Sequence, residues 1–338
     1  LQSFSVVVIG VMVIGIKDVA HRAGVSPATV SRVLGHGPVS AELRERVEAA
    51  VRATGYRPNL SARRLRSQHS RTIGLIVSDI RNPFFTALSR AVEDAAYQAD
   101  MRVVLCNTDE NPDREAMYLR LMQEERITGL IFAPTRATAE RLDRTELDFP
   151  VVLVDRAGPP GRHDCVVIDN QLAAAEIVGH LWARGYRRVG GLFGNTSSTA
   201  IERHDGFRAA ADHRGLEVDV RFVAPVAAAA AAEAVRWLEA ADRPEALIGS
   251  NGLVLLGIVQ AVRALGLGVP ADLGLAGFDN ETWTELVGSG LTVIEQPVSD
   301  IGRTAMMLLF ERLQAPDLAP RKVVLTGRLV VRGSTLRA

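Results

Sequence analysis

The stretch IKDVAHRAGVSPATVSRVLG, Ile16 to Gly35, reads as two short helices joined by a tight turn. The first runs Ile16 to Ala23 and stops at Gly24, where the chain must turn sharply. Ser26 is a good N-cap, and Pro27 suits the first helical position because its missing N–H would have no partner there. The second helix, Pro27 to Leu34, ends near Gly35 and Gly37. Ser40 then caps a third, Ala41 to Thr54, which stops at Gly55. Apolar residues recur at helical spacing through Ile16, Val19, Ala20, Val25, Val30, Val33, Leu34, Leu43, Val47 and Val51, enough for one small shared core. A helix-turn-helix lays its second helix in the DNA major groove with the N-terminal side chains against base edges. Arg32 is the candidate for direct readout, since its fork matches the O6 and N7 of guanine. Pro27 and Ala28 offer apolar contact only. Ser26, Thr29 and Ser31 suit phosphates, which position without specifying.

Charge supports a polyanion at this end. The 338-residue chain has no formal net charge, but residues 1–71 carry eleven Lys and Arg against four Asp and Glu, a net of +7, and the remainder a net of −7. The segment YRPNLSARRLRSQHSRT, Tyr56 to Thr72, is basic and poor in apolar anchors. Arg63, Arg64 and Arg66 surround a lone Leu65. A leucine amid arginines fits a wedge between base steps in the minor groove, with the arginines on phosphates; a basic linker is the plainer alternative.

From Thr72 the pattern changes. Short apolar runs alternate with helical stretches: IGLIV, RVVLC, GLIFA and PVVLV, then after Asp169 RVGGLF, ALIGS, LGLAGF and LTVIEQ. Strand and helix in alternation imply parallel sheets covered by helices. Two successive sets imply two similar lobes, with a ligand crevice at the carboxyl ends of their strands. The alanine run 227–232 reads as plain helix former. Cys106 and Cys165 sit beside strands without metal-ligand spacing, as idle thiols of a reducing cytoplasm. The apolar start, residues 1–15, lacks a basic opening and cleavage pattern and is too short to span a bilayer; it reads as a start site placed too early, with Met12 as the true beginning, or as a disordered tail.

The residues IKDVAHRAGVSPATVSRVLG, YRPN and the ARRL segment resemble the lactose-repressor (LacI/GalR) family, and the resemblance runs on to Val331. It implies an all-α helix-turn-helix headpiece over residues 16–57, with Tyr56 at its DNA-binding edge and a DNA-binding Asn59 opening the hinge helix that follows, Asn59 to Arg66. A hinge helix and linker over 58–71 would fold on the operator, Leu65 matching the intercalating leucine. A two-lobed α/β regulatory domain like periplasmic sugar-binding proteins would occupy 72–338, with lobe 1 at about 72–168, lobe 2 at about 169–296, and the C-terminal segment shared between them. Gly35 stands where many members have Asn. The Pro27–Ala28 pair falls at variable specificity positions.

The same resemblance places the effector site. Asn82, Phe84 and Phe85 follow the first strand, Asp155 and Arg156 the fourth, and Arg203 the first strand of the second lobe. Asn251, Asp279 and Gln296 each lie just past a strand. Charged and amide groups offer a polyol paired hydrogen bonds in fixed geometry, and an aromatic ring covers its C–H face. Singly, Asp155 with Arg156 also reads as a structural ion pair, Asp279 as an N-cap before Glu281, and Asn82–Pro83 as a turn. Gly252 replaces an Asp frequent in the family. Trp283 would cap the pocket or pack under it.

The function expected is a cytoplasmic, operator-binding regulator, a repressor controlled by a monosaccharide or sugar derivative. It would act as a homodimer, without a cofactor, metal or membrane, and without the trailing heptads of a tetramer. A corepressor-type regulator binding a purine-like metabolite and a sugar-transport binding protein are the alternatives. An enzyme is disfavoured: there is no G-x-S-x-G, P-loop or metal spacing, and GLFGN is too loose for a dinucleotide loop.

Overall fold

The computed structural model describes residues 14–34, 37–56, 70–142 and 147–337. Contacts divide the chain into a small front unit and a large body, parting at Gln68 and His69.

The front unit holds α1 (Ile16–Ala23), α2 (Pro27–Leu34) and α3 (Ala41–Thr54). Gly24 ends α1 in the left-handed region (φ 62°), with its N–H on the carbonyls of Ala20 and His21; a side chain there would strain the turn. The Ser26 hydroxyl accepts the Thr29 N–H at 3.1 Å, and Ser40 accepts that of Leu43 at 3.4 Å. Arg46 on α3 donates to the Ala23 carbonyl at 2.8 Å and so ties α3 to the end of α1. The core is Val19, Ala20, Ala23, Val30, Val33, Val47 and Ala50. Leu43, expected inside, is half-exposed and outside this cluster; Val39 and Tyr56 pack on it beside the expected Val51.

The body contains two six-stranded sheets. In the first, β1 (Thr72–Val77), β2 (Arg102–Asn107), β3 (Gly129–Phe132), β4 (Val151–Val154) and β5 (Asp164–Ile168) are joined by a late strand, β11 (Lys322–Leu325), in the order β11-β5-β4-β3-β1-β2. Every pairing is parallel. The second contains β6 (Arg188–Gly194), β7 (Glu217–Val223), β8 (Ala246–Gly249), β9 (Gly274–Phe278), β10 (Thr292–Glu295) and β12 (Arg328–Val330), in the order β12-β10-β9-β8-β6-β7. Only β12 there runs antiparallel. The central strands are buried along their whole length, hence the unbroken apolar runs. Four strands lay outside the expected set, β5, β7, β11 and β12, and the cysteines sit within β2 and β5 rather than beside strands.

Around the first sheet lie α4 (Pro83–Gln98), α5 (Pro112–Glu124) and the single turn α6 (Arg136–Ala139). The second carries α7 (Asn170–Ala183), α8 (Ser198–Arg214), α9 (Ala227–Leu238), α10 (Gly252–Ala264) and the short α11 (Thr282–Leu286). The chain then returns through Gln296 and Pro297 into α12 (Val298–Gln314), whose Ile301, Ala305, Met306, Leu308 and Leu309 pack into the core of the first lobe. Lobe 1 is thus completed by residues that follow lobe 2 in sequence. The alanine run opens α9 as expected; its purpose is closeness, since a Cβ on Gly257 of α10 would lie 2.5 Å from the Ala230 methyl and 2.8 Å from the Ala231 nitrogen. Larger side chains on either helix would hold the backbones apart.

Candidate functional site

The carboxyl ends of both sheets face one cleft, the place where sheets of this kind bind small ligands. All nine residues singled out from the sequence line it: Asn82, Phe84, Phe85, Asp155, Arg156, Arg203, Asn251, Asp279 and Gln296.

Each is held by local structure. The Asn82 side-chain Oδ1 accepts the Phe84 N–H at 3.1 Å, capping α4 and orienting Phe84 and Phe85, whose rings meet edge to face at 5.1 Å. Asn251 caps α10 by accepting the Val254 N–H at 2.8 Å. Asp155 and Asp279, at the ends of β4 and β9, both adopt positive φ (65° and 75°). Such backbone is costly for a residue other than glycine and concentrates where geometry serves function. Arg203 lies within α8. Its Nε donates to Asn170 Oδ1 at 2.8 Å, its Nη1 to the Ser250 carbonyl at 2.6 Å, and its plane sits 4.0 Å from the Phe278 ring centroid.

The alternative reading of Asp279, as an N-cap, does not hold. Glu281 occupies the N-cap position of α11, while Asp279 spends both oxygens across the fold: Oδ2 accepts the Gly252 N–H at 2.8 Å, and Oδ1 accepts Gln296 Nε2 at 2.5 Å. It binds the start of α10 to the strand-to-helix crossover. Trp283 does not line the cleft; it packs on the second lobe's core and donates to Glu281 Oε2 at 2.6 Å. At Gly252 the room for a side chain is taken by the Glu281 carboxyl. Asp155 lies 3.3 Å from Arg156 Nε, but the terminal nitrogens of Arg156 go elsewhere, to Glu110 and to the Pro134 carbonyl.

Burial shifts these groups. It raises the Asp155 carboxyl, against the pull of Arg156 and Arg203. It lowers the Arg203 guanidinium, against Asp279 and Asp155. Burial also works against the Arg156 charge, but Glu110, Asp155 and Glu115 together outweigh it and leave the group raised. Sequence reasoning missed Glu110, Asn170 and Ser250. Glu110 lies on the loop after β2, and that loop also opens on the cleft. Among the described residues no cluster of ligating side chains could hold a metal ion.

In the front unit Ser26, Pro27, Ala28 and Arg32 are exposed, and Thr29 and Ser31 half-exposed, on α2. The Ser26 and Thr29 hydroxyls lie 3.0 Å apart and bond to each other. Tyr56 is half-buried against the helical core. Asn59, Arg63, Arg64, Leu65 and Arg66, with Gly35, lie outside the described residues.

Comparison with known proteins agrees with both halves. Residues 15–59 match the profile of bacterial regulatory proteins of the lacI family, and residues 178–335 that of the periplasmic binding protein-like domain. The chain is 33% identical over 332 residues to the HTH-type transcriptional regulator KdgR of Bacillus subtilis, covering 94% of this chain and 97% of that one. It is 35% identical over 330 residues to PtxS of Pseudomonas plecoglossicida, covering 95% of each. Among solved structures, the lac repressor dimer bound to operator and an anti-inducer superposes with a TM-score of 0.84 at 25% identity, covering 96% of this chain and 99% of that one. A LacI family transcriptional regulator from Enterococcus faecium with bound ribose gives 0.69 at 26% identity, covering 78% and 98%. The chain belongs to the LacI family of helix-turn-helix, DNA-binding transcriptional regulators.

Proposed function

We propose that this regulator is a cytoplasmic repressor whose operator affinity is set by a monosaccharide or sugar derivative held in the cleft. The observation that carries the reading is the cleft itself: two buried guanidiniums, two strained carboxylates, three amides and a pair of phenylalanines converge there. That set pairs hydroxyl groups on several sides and covers an apolar face. The ribose held by the Enterococcus faecium relative supports the ligand class. Ligand acts by binding one lobe arrangement better than the other, which is the only way it can shift the equilibrium. Titrating monosaccharides into the full-length protein by calorimetry, with operator binding followed by fluorescence anisotropy, tests both steps. A sugar that binds without changing operator affinity overturns the regulatory half.

On DNA, a dimer would place two copies of α2 in half-sites about one helical turn apart, with Asn59 to Arg66 in the minor groove between them. Arg32→Ala is expected to relax preference at one operator position, weakening the best site by about 1–3 kcal/mol. Selection from randomised operators checks this; a uniform loss across sequences would assign Arg32 to phosphate.

The dimer face we assign to the open edge of the first lobe. There Tyr97 at the end of α4, Val104 and Leu105 on edge strand β2, and Met117 and Leu121 on α5 are all exposed. An apolar sheet edge of this kind is a pairing surface unless covered. Leu105→Arg is expected to raise the dimer dissociation constant at least a hundredfold and to weaken operator binding with it. Analytical ultracentrifugation measures the first; an unchanged dimer would move the interface elsewhere. No helix among the described residues is long and apolar enough to cross a membrane.

A further inference from the structure

We propose that Glu110 is a specificity-determining residue that makes the cleft select uncharged sugars over the corresponding sugar acids. The inference rests on the monosaccharide reading above and sharpens it. Arg156, only 4% exposed, is the natural anchor for a ligand carboxylate, because a guanidinium presents a planar fork to a carboxylate. Glu110 already occupies that fork end-on: its Oε2 accepts from Arg156 Nη1 at 2.9 Å and its Oε1 from Nη2. Nη1 is completed by the Pro134 carbonyl at 2.8 Å. What remains of Arg156 is its side edge, Nε and one N–H of Nη2, with Nε making no hydrogen bond and Asp155 Oδ2 3.3 Å away. That edge can donate to a hydroxyl, but the positive charge is already shared by two carboxylates.

The described lining holds one further cation, Arg203. Arg203 makes its hydrogen bonds to neutral acceptors, and the carboxylates of Asp155 and Asp279 act on it. Glu110, Asp155 and Asp279 line the cleft beside Arg156 and Arg203; the fourth lining carboxylate, Asp79, is taken by Arg81 at 2.9 Å. In a partly dry cleft a ligand carboxylate brought to Arg156 would meet the Glu110 carboxylate at little screening. The backbone shows that this placement is built in: Asp109 and Glu110 both hold positive φ (52° and 58°), which turns the loop after β2 toward the cleft.

The test uses the full-length protein and a panel of neutral aldopentoses and aldohexoses, each beside the aldonate made by oxidising its aldehyde, titrated by calorimetry. The wild type is expected to bind its tightest neutral sugar at least tenfold better than the matching aldonate. Glu110→Gln keeps the volume and one hydrogen bond to Arg156 and removes the charge, so that ratio is expected to fall at least tenfold. A wild type that prefers the aldonate overturns the proposal whether or not the variant folds. So does a variant that weakens both partners equally, since that is the signature of a merely structural role. Binding of neither class to a folded, operator-competent protein would overturn the monosaccharide reading itself.

Discussion

Asp279→Ala is expected to abolish the effector response while leaving effector-free operator binding within about threefold of wild type. Asp279 satisfies two donors at once, the Gly252 N–H and the Gln296 amide, inside a residue only 6% exposed. Truncation orphans both, at about 1–3 kcal/mol each where no water replaces the carboxylate. Alanine at φ 75° adds about 1–2 kcal/mol of backbone strain. The melting temperature should fall by roughly 5–10 °C for a body of this size, and effector affinity should drop about a hundredfold or more, since a charge-assisted contact and its frame are lost together. Asp279→Asn separates the two effects. Asparagine tolerates the left-handed backbone, can still accept from Gly252, and can donate to a Gln296 amide turned over. It is expected to recover most of the melting temperature but not the affinity. Calorimetric titration beside a thermal melt checks both variants; a normal effector response in the alanine variant would remove Asp279 from the site.

Gly206→Ala should destabilise lobe 2 by about 3 kcal/mol, the upper part of the range for overpacking a close contact. Intrinsic preference argues the other way, because alanine in a free helix interior is better than glycine by about 1 kcal/mol. Packing decides the sign. A Cβ on Gly206 would lie 2.5 Å from the Gln171 Cα and 2.8 Å from its carbonyl carbon, and backbone cannot swing aside as a side chain can. Helices α7 and α8 must separate. That movement reaches the cleft, because Arg203 on α8 is positioned by Asn170 at the start of α7. Effector affinity should therefore fall with stability, although residue 206 itself does not line the cleft. Differential scanning calorimetry together with effector titration tests this, and a stabilised variant would show that the two helices are free to part.

Much of this architecture was legible because its signals are local. The central strands are buried on both faces and appear as unbroken apolar runs, and the headpiece announces its turns with Gly24, Ser26 and Ser40. Of the missed strands, β5 carries such a run, CVVI, buried throughout, and the other three do not. β7, EVDVRFV, is an edge strand whose alternating charges face water, and β11 and β12 are four and three residues long. Within the cleft, residues at strand ends could be found by register. Glu110 could not be found through its partner, since Arg156 lies 46 positions further on and nothing in either local pattern couples them. The alternative reading of Asp279 as a cap fails for the same reason: Glu281 is its neighbour in sequence, whereas its partners are 27 and 17 residues away.

The late arrival of α12 and β11 bears on how the chain is made. A ribosome releases β1 to β5 first, yet these strands lack an edge partner for β5 and the apolar wall of Ile301, Met306 and Leu309 until almost everything else has been synthesised. Domains that emerge complete can fold as they appear; lobe 1 cannot. Its nascent strands wait through the whole synthesis of lobe 2 with their core half-clothed, which makes that interval the time when this regulator most needs a chaperone.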